Sequence, residues 1–296
     1  MNLKNSYHTY GFITVIFWSM AYVLTRLTLQ HFQKFTLGFL RYFFASVALG
    51  IFVILTKTNP PQKKDIPAFI LAGAFGFSLY MVLFNTGQSM VSASTGSVVI
   101  ATVPVFTSLL ARFIYKEKLF AYQWIAIGIE FVGVVVLTSF YGGLSFNGGI
   151  VWLIMAAFSL SFYNILQRKL TAKYTPTQTA AYAIFFGTIM LSVFLPGSID
   201  QIKTAPMIQW VYIFIMGVFS SAIAYVTWSI AFTKAENMSQ VSNYMFLTPF
   251  LTSILGFIIA KEVPDFPTIL GGFIIMSGVF IYNFGGKFLK PKTHES

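Results

Sequence analysis

The segment TVPVFTSLLARFIYKE, residues 102–117, is repeated later in the chain as FLTPFLTSILGFIIAKE, residues 246–262. The two copies align at an offset of 145 residues, which matches Pro104 with Pro249. The same offset pairs residues outside the segment: Tyr80 with Tyr225, Ser94 with Ser239, Ser97 with Ser242 and Gly133 with Gly278. The sequence therefore predicts two copies of one structural unit.

The composition indicates a membrane protein. Hydrophobic residues make up 56% of the chain and charged residues only 9%, whereas soluble domains carry about 25% charged residues. The net charge of +11 does not indicate a nucleic-acid partner, because the basic residues lie in small groups between apolar segments. The absence of cysteine excludes disulfides and cysteine ligands.

Ten segments have roughly the 20 mostly apolar residues that cross a bilayer. They are residues 10–29, 35–56, 66–88, 93–115, 122–141, 147–167, 177–195, 207–232, 238–260 and 266–284. This spacing divides the chain into a first five-helix repeat, 8–141, a second, 147–285, and a short basic tail, 286–296.

The positions of Lys and Arg set the orientation, since these residues are enriched on the cytoplasmic side. With a cytoplasmic N-terminus, fourteen of the 19 lie inside, four lie outside, and Arg41 lies within the second span. Both termini and the tail are therefore predicted to be cytoplasmic. Because each half has an odd number of spans, Glu117 is expected inside and its repeat partner Glu262 outside. The predicted fold is an all-α membrane protein with ten transmembrane helices as two inverted five-helix repeats, an arrangement typical of carriers that alternate their access.

Polar and aromatic side chains within the spans are candidates for lining a central cavity, because such side chains usually face the interior of a helix bundle. For serine the alternative is helix packing, and for tryptophan or tyrosine near a span end it is anchoring at the lipid surface. The weakly charged set favours a neutral or zwitterionic solute. The candidate substrate-binding residues are Trp18, Tyr22, Tyr80, Asn85, Ser97, Tyr163, Tyr225, Trp228 and Asn243.

Four further residues lie within spans where their chemistry is unusual. Pro104 and Pro249 are expected in the middle of helices, as gating hinges or as static kinks. Glu130 is the one acidic residue near the middle of a span, which leaves two alternatives: proton coupling, or a packing or oligomer contact. Arg41 either extends its charged end to the membrane surface or recognises an anion such as a carboxylate.

An intramembrane enzyme is the alternative class, and the sequence does not favour it. The three histidines lie near span ends or in the tails, and HExxH and paired intramembrane aspartates are absent. Gly285-Gly286-Lys287 lacks the remaining residues of a phosphate-binding loop. We expect no catalytic residue, no metal and no cofactor.

The chain resembles the EamA branch of the drug/metabolite transporter superfamily. The resemblance is carried by FWSMAYVLTR (residues 17–26), LRYFFA (residues 40–45) and the two proline-to-Lys-Glu segments, and it covers the whole chain. Two departures are Arg26, where Lys is more common, and Glu130, where the usual residue is apolar.

The resemblance implies a permease in a bacterial-type plasma (inner) membrane that exports amino acids or similar small metabolites. It also implies a cavity lined by helices 3, 4, 8 and 9 with helices 1, 2, 6 and 7. The alternatives are a facilitative carrier, a channel-like uniporter for small neutral solutes and a drug efflux protein. The expected partners are the solute and the lipid bilayer, with homodimerisation left open and no nucleic acid.

The predicted topology can be tested by labelling single cysteines, because the natural chain has none. A membrane-impermeant thiol reagent added to intact cells should label Lys261→Cys and should not label Ser296→Cys until the membrane is permeabilised. Labelling of Ser296→Cys in intact cells would overturn the orientation.

Overall fold

A computed structural model describes residues 7–116, 119–139, 148–234 and 243–289, and all regular secondary structure in these ranges is helical. We number ten helical segments in chain order. They are α1 Tyr7–Thr28, α2 Lys34–Leu55, α3 Lys63–Gln88, α4 Ala93–Tyr115, α5 Ala121–Ser139, α6 Gly148–Thr171, α7 Pro176–Phe194, α8 Met207–Gly217 with Val218–Ile223 and Ala224–Lys234, α9 Asn243–Phe246 with Leu247–Leu255 and Gly256–Ala260, and α10 Phe266–Leu289.

Seven of these segments are long and apolar enough to cross a membrane: α1 to α4 and α6 to α8. The remaining three contain shorter apolar stretches, Ala121–Val136, Leu247–Ala260 and Phe266–Tyr282. Large apolar side chains cover the outside of the bundle, for example Leu55, Phe113 and Phe273, which are 78%, 77% and 73% exposed. Such a surface suits contact with lipid tails rather than with water.

The helices of the two halves pack in matched pairs. α1 packs against α8, and α3 against α6. Likewise α9 packs against α1, and α4 against α6, while α2 pairs with α7 and α5 with α10. Exchanging the first five helices for the last five turns the pairing of α1 with α8 into that of α6 with α3, and the pairing of α9 with α1 into that of α4 with α6. The pairings of α2 with α7 and of α5 with α10 are unchanged, so the pattern of helix contacts is the same after the exchange.

Matched hydrogen bonds extend the repeat to the first helix of each half. Ser19 Oγ in α1 donates to the Thr248 carbonyl at 3.3 Å, and Ser161 Oγ in α6 donates to the Val103 carbonyl at 3.1 Å. The two acceptors are 145 residues apart, whereas the two donors are 142 residues apart. The offset between equivalent residues of the two halves is therefore smaller in α1 and α6 than elsewhere. An alignment of the halves at 145 residues does not match these two helices.

Glycines let α5 and α10 approach closely. A Cβ atom at Gly133 would lie 2.9 Å from the Ile275 nitrogen, and one at Gly278 would lie 2.8 Å from the Ala126 carbonyl oxygen and 3.0 Å from the Glu130 nitrogen. Both glycines face backbone atoms, which cannot move aside as a side chain can. The two contacts are equivalent in the repeat, and they place Glu130 between α5 and α10.

The described residues contain three π-helical segments that were not predicted from the sequence. α3 has one at Ala74–Ser78, α8 has one at Val218–Ile223 in the equivalent position, and α9 ends with a third at Gly256–Ala260. A π-helical turn contains an extra residue and rotates the side chains that follow, and such turns are frequent at functional sites. In each half a tyrosine follows the turn, Tyr80 in α3 and Tyr225 in α8.

Both prolines lie inside the helical segments α4 and α9, each next to an interruption or a change of helix type, and their role as gating hinges or static kinks stays a prediction. α4 is interrupted at residues 101–102, so Pro104 is the second residue of the helical segment Val103–Tyr115. Pro249 is the third residue of Leu247–Leu255, which follows a 3₁₀ turn. Proline is tolerated in the first turn because the amide hydrogen it lacks has no acceptor within the helix there.

We predict that Gly133→Ala and Gly278→Ala each destabilise the fold. The added methyl group lies too close to backbone atoms of the facing helix, and overpacking of this kind costs typically 1–3 kcal/mol. Thermal unfolding of the purified protein in detergent measures the effect. The matched control is Gly128→Ala in the same helix, where a Cβ meets no heavy atom within 4 Å; equal loss in all three variants would contradict the assigned contact.

Candidate functional site

A large cavity of about 590 Å³ lies between α4, α6 and α8, within the range of roughly 300–1,000 Å³ that is usual for small-molecule sites. It reaches the surface at the end of the bundle where these three helices finish, since its lining includes the exposed residues Phe120, Arg168 and Ala172. We call this the basic end, because most of the Lys and Arg residues lie there.

A smaller central pocket of about 40 Å³ continues the large cavity toward the opposite end. The two share Trp18, Leu160, Tyr225 and Met245. The other lining residues of the central pocket are Ala21, Tyr22, Arg41, Tyr80, Phe84, Ser97, Ile100, Ala101 and Thr248. The site is therefore a wide chamber with a narrow inner extension.

Aromatic rings form the boundary between the two spaces. The Trp18 ring centroid lies 5.5 Å from that of Tyr225 and 4.9 Å from that of Trp228. In the central pocket the Tyr22 ring stands edge-on to Phe84 at 5.5 Å. Such rings offer a solute apolar faces that also attract cations.

Polar groups are few and lie at defined places in the large cavity. Gln167 Nε2 donates to Ser229 Oγ at 2.8 Å, and Asn164 Nδ2 donates to Thr107 Oγ1 at 3.1 Å. The buried Tyr163 hydroxyl has no hydrogen-bond partner among the described residues. A cavity with these groups accepts a solute that combines apolar surface with a few hydrogen-bonding atoms.

An ion pair lies at the opposite end of the bundle. Arg26 Nε in α1 lies 3.2 Å from Glu262 Oε1, in the segment between α9 and α10. Glu262 Oε2 also accepts a hydrogen bond from the Ala93 amide at 3.0 Å, where a carboxylate is favoured by the partial positive charge of the N-terminus of α4. Arg26 Nη1 donates to the carbonyls of Gln88 and Ser89 at 3.4 and 3.3 Å. The pair thus connects α1, α4 and the segment between α9 and α10.

A left-handed residue positions Glu262 in this contact. Lys261 ends α9 with φ of 56°, and Lys116 ends α4 with the same φ. A left-handed residue at a helix end reverses the direction of the chain. It costs about 1–2 kcal/mol for a residue other than glycine. The conformation occurs at equivalent positions of both halves, so it belongs to the repeated unit.

The structure brings seven of the nine predicted substrate-binding residues to the cavity and the pocket: Trp18, Tyr22, Tyr80, Ser97, Tyr163, Tyr225 and Trp228. Asn85 is not among the lining residues; it is buried, and its Nδ2 donates to the Lys34 carbonyl at 2.8 Å, which ties α3 to α2. The side chain of Asn243 lies outside the described part of the structure. Binding by the lining residues stays a prediction.

The other predicted residues are divided between the cavity and the periphery. Pro104 lines the large cavity, and Pro249 lines neither space. Glu130 is 3% exposed, lines neither space, and its carboxyl oxygens have no hydrogen-bond partner among the described residues. Its place in the contact between α5 and α10 is separate from the cavity.

Sequence reasoning did not place several lining residues in the site. The sequence leaves two alternatives for Arg41, a charged end at the membrane surface or recognition of an anion. The structure buries this side chain in the central pocket and does not extend it to the surface. Asn164 and Met245 carried no signal, since an isolated polar residue near a span end and a methionine are both common in membrane helices. Gln167 lies four residues after Tyr163, a helical spacing that pointed to the same face.

The lipid-compatible surface, the apolar helices and the enclosed cavity define a multi-pass membrane protein. The EamA-like transporter family matches residues 5–139 and again residues 147–284. The chain therefore belongs to the EamA-like transporter family, and it is a transporter.

Named relatives cover nearly the whole chain. It is 31% identical to the uncharacterized transporter YdfC of Bacillus subtilis, over 88% of this chain and 86% of that one. It is 30% identical to a probable terminal-alkyne amino-acid exporter of Streptantibioticus cattleyicolor, over 92% and 91%. It is 26% identical to an S-adenosylmethionine uptake transporter of Rickettsia prowazekii, over 89% and 87%. A solved crystal structure 16% identical in sequence shares the fold, with a TM-score of 0.67 over 97% of this chain and 99% of that chain.

We predict that Trp228→Ala reduces transport at least several-fold while the protein still reaches the membrane at near-natural levels. The ring lies against Trp18 and the large cavity, so its loss removes solute contact more than helix packing. The measurements are transport in reconstituted vesicles and the amount of folded protein in the membrane. Trp152→Ala is the matched control, because that ring is 38% exposed and lines neither space; normal transport by Trp228→Ala would show the ring is not needed.

Proposed function

We propose that this protein is a secondary carrier that exports amino acids or similar small metabolites by alternating access. Its ten helices would form two inverted five-helix repeats, 8–141 and 147–285, followed by the tail 286–296. The setting would be the plasma (inner) membrane of a bacterial-type cell, with both termini in the cytoplasm. The observation that carries this proposal is a central site that is open at the basic end and closed at the other end by the Arg26–Glu262 ion pair.

The approximate exchange symmetry of the helix pairs supports alternating access. Two halves that pack by the same contacts have a second arrangement of similar energy, in which the roles of the halves are exchanged. Exchange would close the basic end and open the end that the Arg26–Glu262 ion pair now closes. A solute in the shared central pocket would then be exposed to the other side without a continuous channel.

The charge distribution supports an assignment of the side to which the cavity opens. The basic end is the predicted cytoplasmic end, so the conformation described here would receive its solute from the cytoplasm. One relative is named an exporter and another an uptake transporter, so direction is a property to be measured. The exporter is named for an amino acid, which supports the proposed solute class.

The position of Glu130 supports a packing role rather than proton coupling. A coupling carboxylate must exchange its proton with water and sense the solute. Glu130 instead lies between α5 and α10, where its nitrogen and Cγ face Gly278. A proton gradient, if it drives this carrier, would act through other groups.

The proposal is tested by reconstituting the purified protein in vesicles and screening the 20 common amino acids for saturable exchange, with and without a pH gradient.

The same vesicles allow a direct test of closure at the Arg26–Glu262 ion pair. We predict that joining Arg26→Cys and Glu262→Cys with a short reducible thiol cross-linker stops net transport and that reduction restores it. The reason is that these two positions must move apart in each transport cycle.

The two single-cysteine variants treated with the same reagent are the controls. Full transport by the cross-linked protein would contradict alternating access. Flux that increases linearly with solute concentration, without saturation, would identify a channel-like uniporter instead.

A further inference from the structure

Arg41 is a charged side chain buried at membrane depth. It is 5% exposed, lies in α2 and lines the central pocket. A guanidinium stays protonated at physiological pH, so it cannot escape the cost of burial by losing its charge. Intramembrane charges of this kind are rare and usually mark a solute or ion site.

The described part of the chain offers Arg41 no carboxylate partner. The ion pairs in which both side chains are described join Arg26 to Glu262 and Lys173 to Asp65. Arg41 Nε donates to Ser221 Oγ at 2.8 Å, and its Cζ lies 5.8 Å from the centre of the Tyr42 ring. These contacts hold the side chain without neutralising it.

The hydrogen bond to Ser221 fixes the direction of the guanidinium. Ser221 belongs to the π-helical segment of α8, Val218–Ile223, so the wide turn presents its hydroxyl to α2. With Nε engaged, Nη1 and Nη2 remain as a parallel pair of donors, and no described residue accepts a hydrogen bond from either. Two parallel N–H donors fit the two oxygens of a carboxylate.

We propose that Arg41 binds the carboxylate of the transported solute in the central pocket. This inference rests on the proposed function and names the chemical class of its solute. The single charge of Arg41 balances a monoanion, whereas a phosphate dianion would keep an unpaired charge inside the membrane. The pocket volume of about 40 Å³ holds only a few water molecules, at roughly 10–15 Å³ each, and therefore suits a headgroup rather than a whole solute.

The remainder of the solute would extend into the large cavity. Tyr22, Tyr80 and Tyr225 line the pocket around Arg41, and their hydroxyl groups can donate further hydrogen bonds to a carboxylate. Trp18 and Trp228 lie where the space widens, and their faces attract an ammonium group. A zwitterion with an apolar side chain satisfies both ends of the site.

The test is equilibrium binding to the purified full-length protein in detergent, measured by thermal shift and by calorimetry. The probes are the 20 common L-amino acids, their C-terminal amides and inorganic phosphate. We expect at least one acid to bind and its own amide to bind at least tenfold more weakly, because only the carboxylate uses both Nη donors.

Three variants test whether Arg41 is the source of the tighter binding of the acid than of its amide. Arg41→Gln should reduce the affinity for the acid to that for the amide, and Arg41→Lys should weaken binding of the acid because the paired donors are lost. Ser221→Ala should weaken binding of the acid less than the Arg41 substitutions do. The guanidinium keeps its charge in this variant and loses only the hydrogen bond that orients it. Arg112→Gln, an arginine that lines neither space, should bind as the natural protein does.

Several outcomes would overturn the assignment: no acid binds, amides bind as well as acids, or phosphate binds more tightly than any acid. If Arg41→Gln does not fold, the acid–amide comparison on the natural protein and on Ser221→Ala still decides. Acid-selective binding without any transport would refute the proposed function and leave the Arg41 site standing. Equal transport of acids and amides would refute the Arg41 site alone.

Discussion

Close backbone contact between the two halves is the constraint on which the site depends. Within lipid, helices gain little from hydrophobic association, so they pack where small residues let their backbones meet. A Cβ atom at Gly217 in α8 would lie 2.8 Å from the Arg41 carbonyl oxygen and 3.3 Å from the Ala45 nitrogen. Gly217 is four residues, about one helical turn, before Ser221. The contact that joins α8 to α2 therefore also brings Ser221 to the guanidinium of Arg41.

The same contact occurs in the other half without the charge. A Cβ atom at Gly73 in α3 would lie 2.8 Å from the Ala183 carbonyl oxygen and 2.8 Å from the Gly187 nitrogen. Ala183 thus occupies the position that Arg41 holds in the first contact, and it is fully buried. The packing is duplicated but the charge is not. A nearly symmetric pattern of helix contacts consequently carries a buried charge in one half and none at the equivalent position of the other half.

The sequence alone predicts the helices and the repeat where the residues themselves are conserved between halves. The segment of α4 and its copy in α9 match in sequence, and the contact of Gly133 and Gly278 follows the same offset. In α1 and α6 the relation is carried by the hydrogen bonds that the hydroxyl groups of Ser19 and Ser161 donate to backbone carbonyls of α9 and α4, so it becomes visible in the structure. The π-helical turns add a residue to a helix without a visible change in the apolar pattern of its sequence. The residues on both faces of the helix at these turns are apolar or small. For that reason the direction of Asn85, which follows such a turn in α3, could not be read from spacing.

In the proposed transport cycle, the exposure of the Arg26–Glu262 ion pair has a consequence for the populations of the two states. The two side chains are 32% and 21% exposed, and ion pairs this accessible to water contribute about 0–1 kcal/mol. A difference of about 1 kcal/mol changes an equilibrium roughly fivefold. The pair would then bias the empty protein toward one state without trapping it there. A solute that binds the two states with modestly different affinity is enough to shift such a balance, which favours rapid turnover over tight retention.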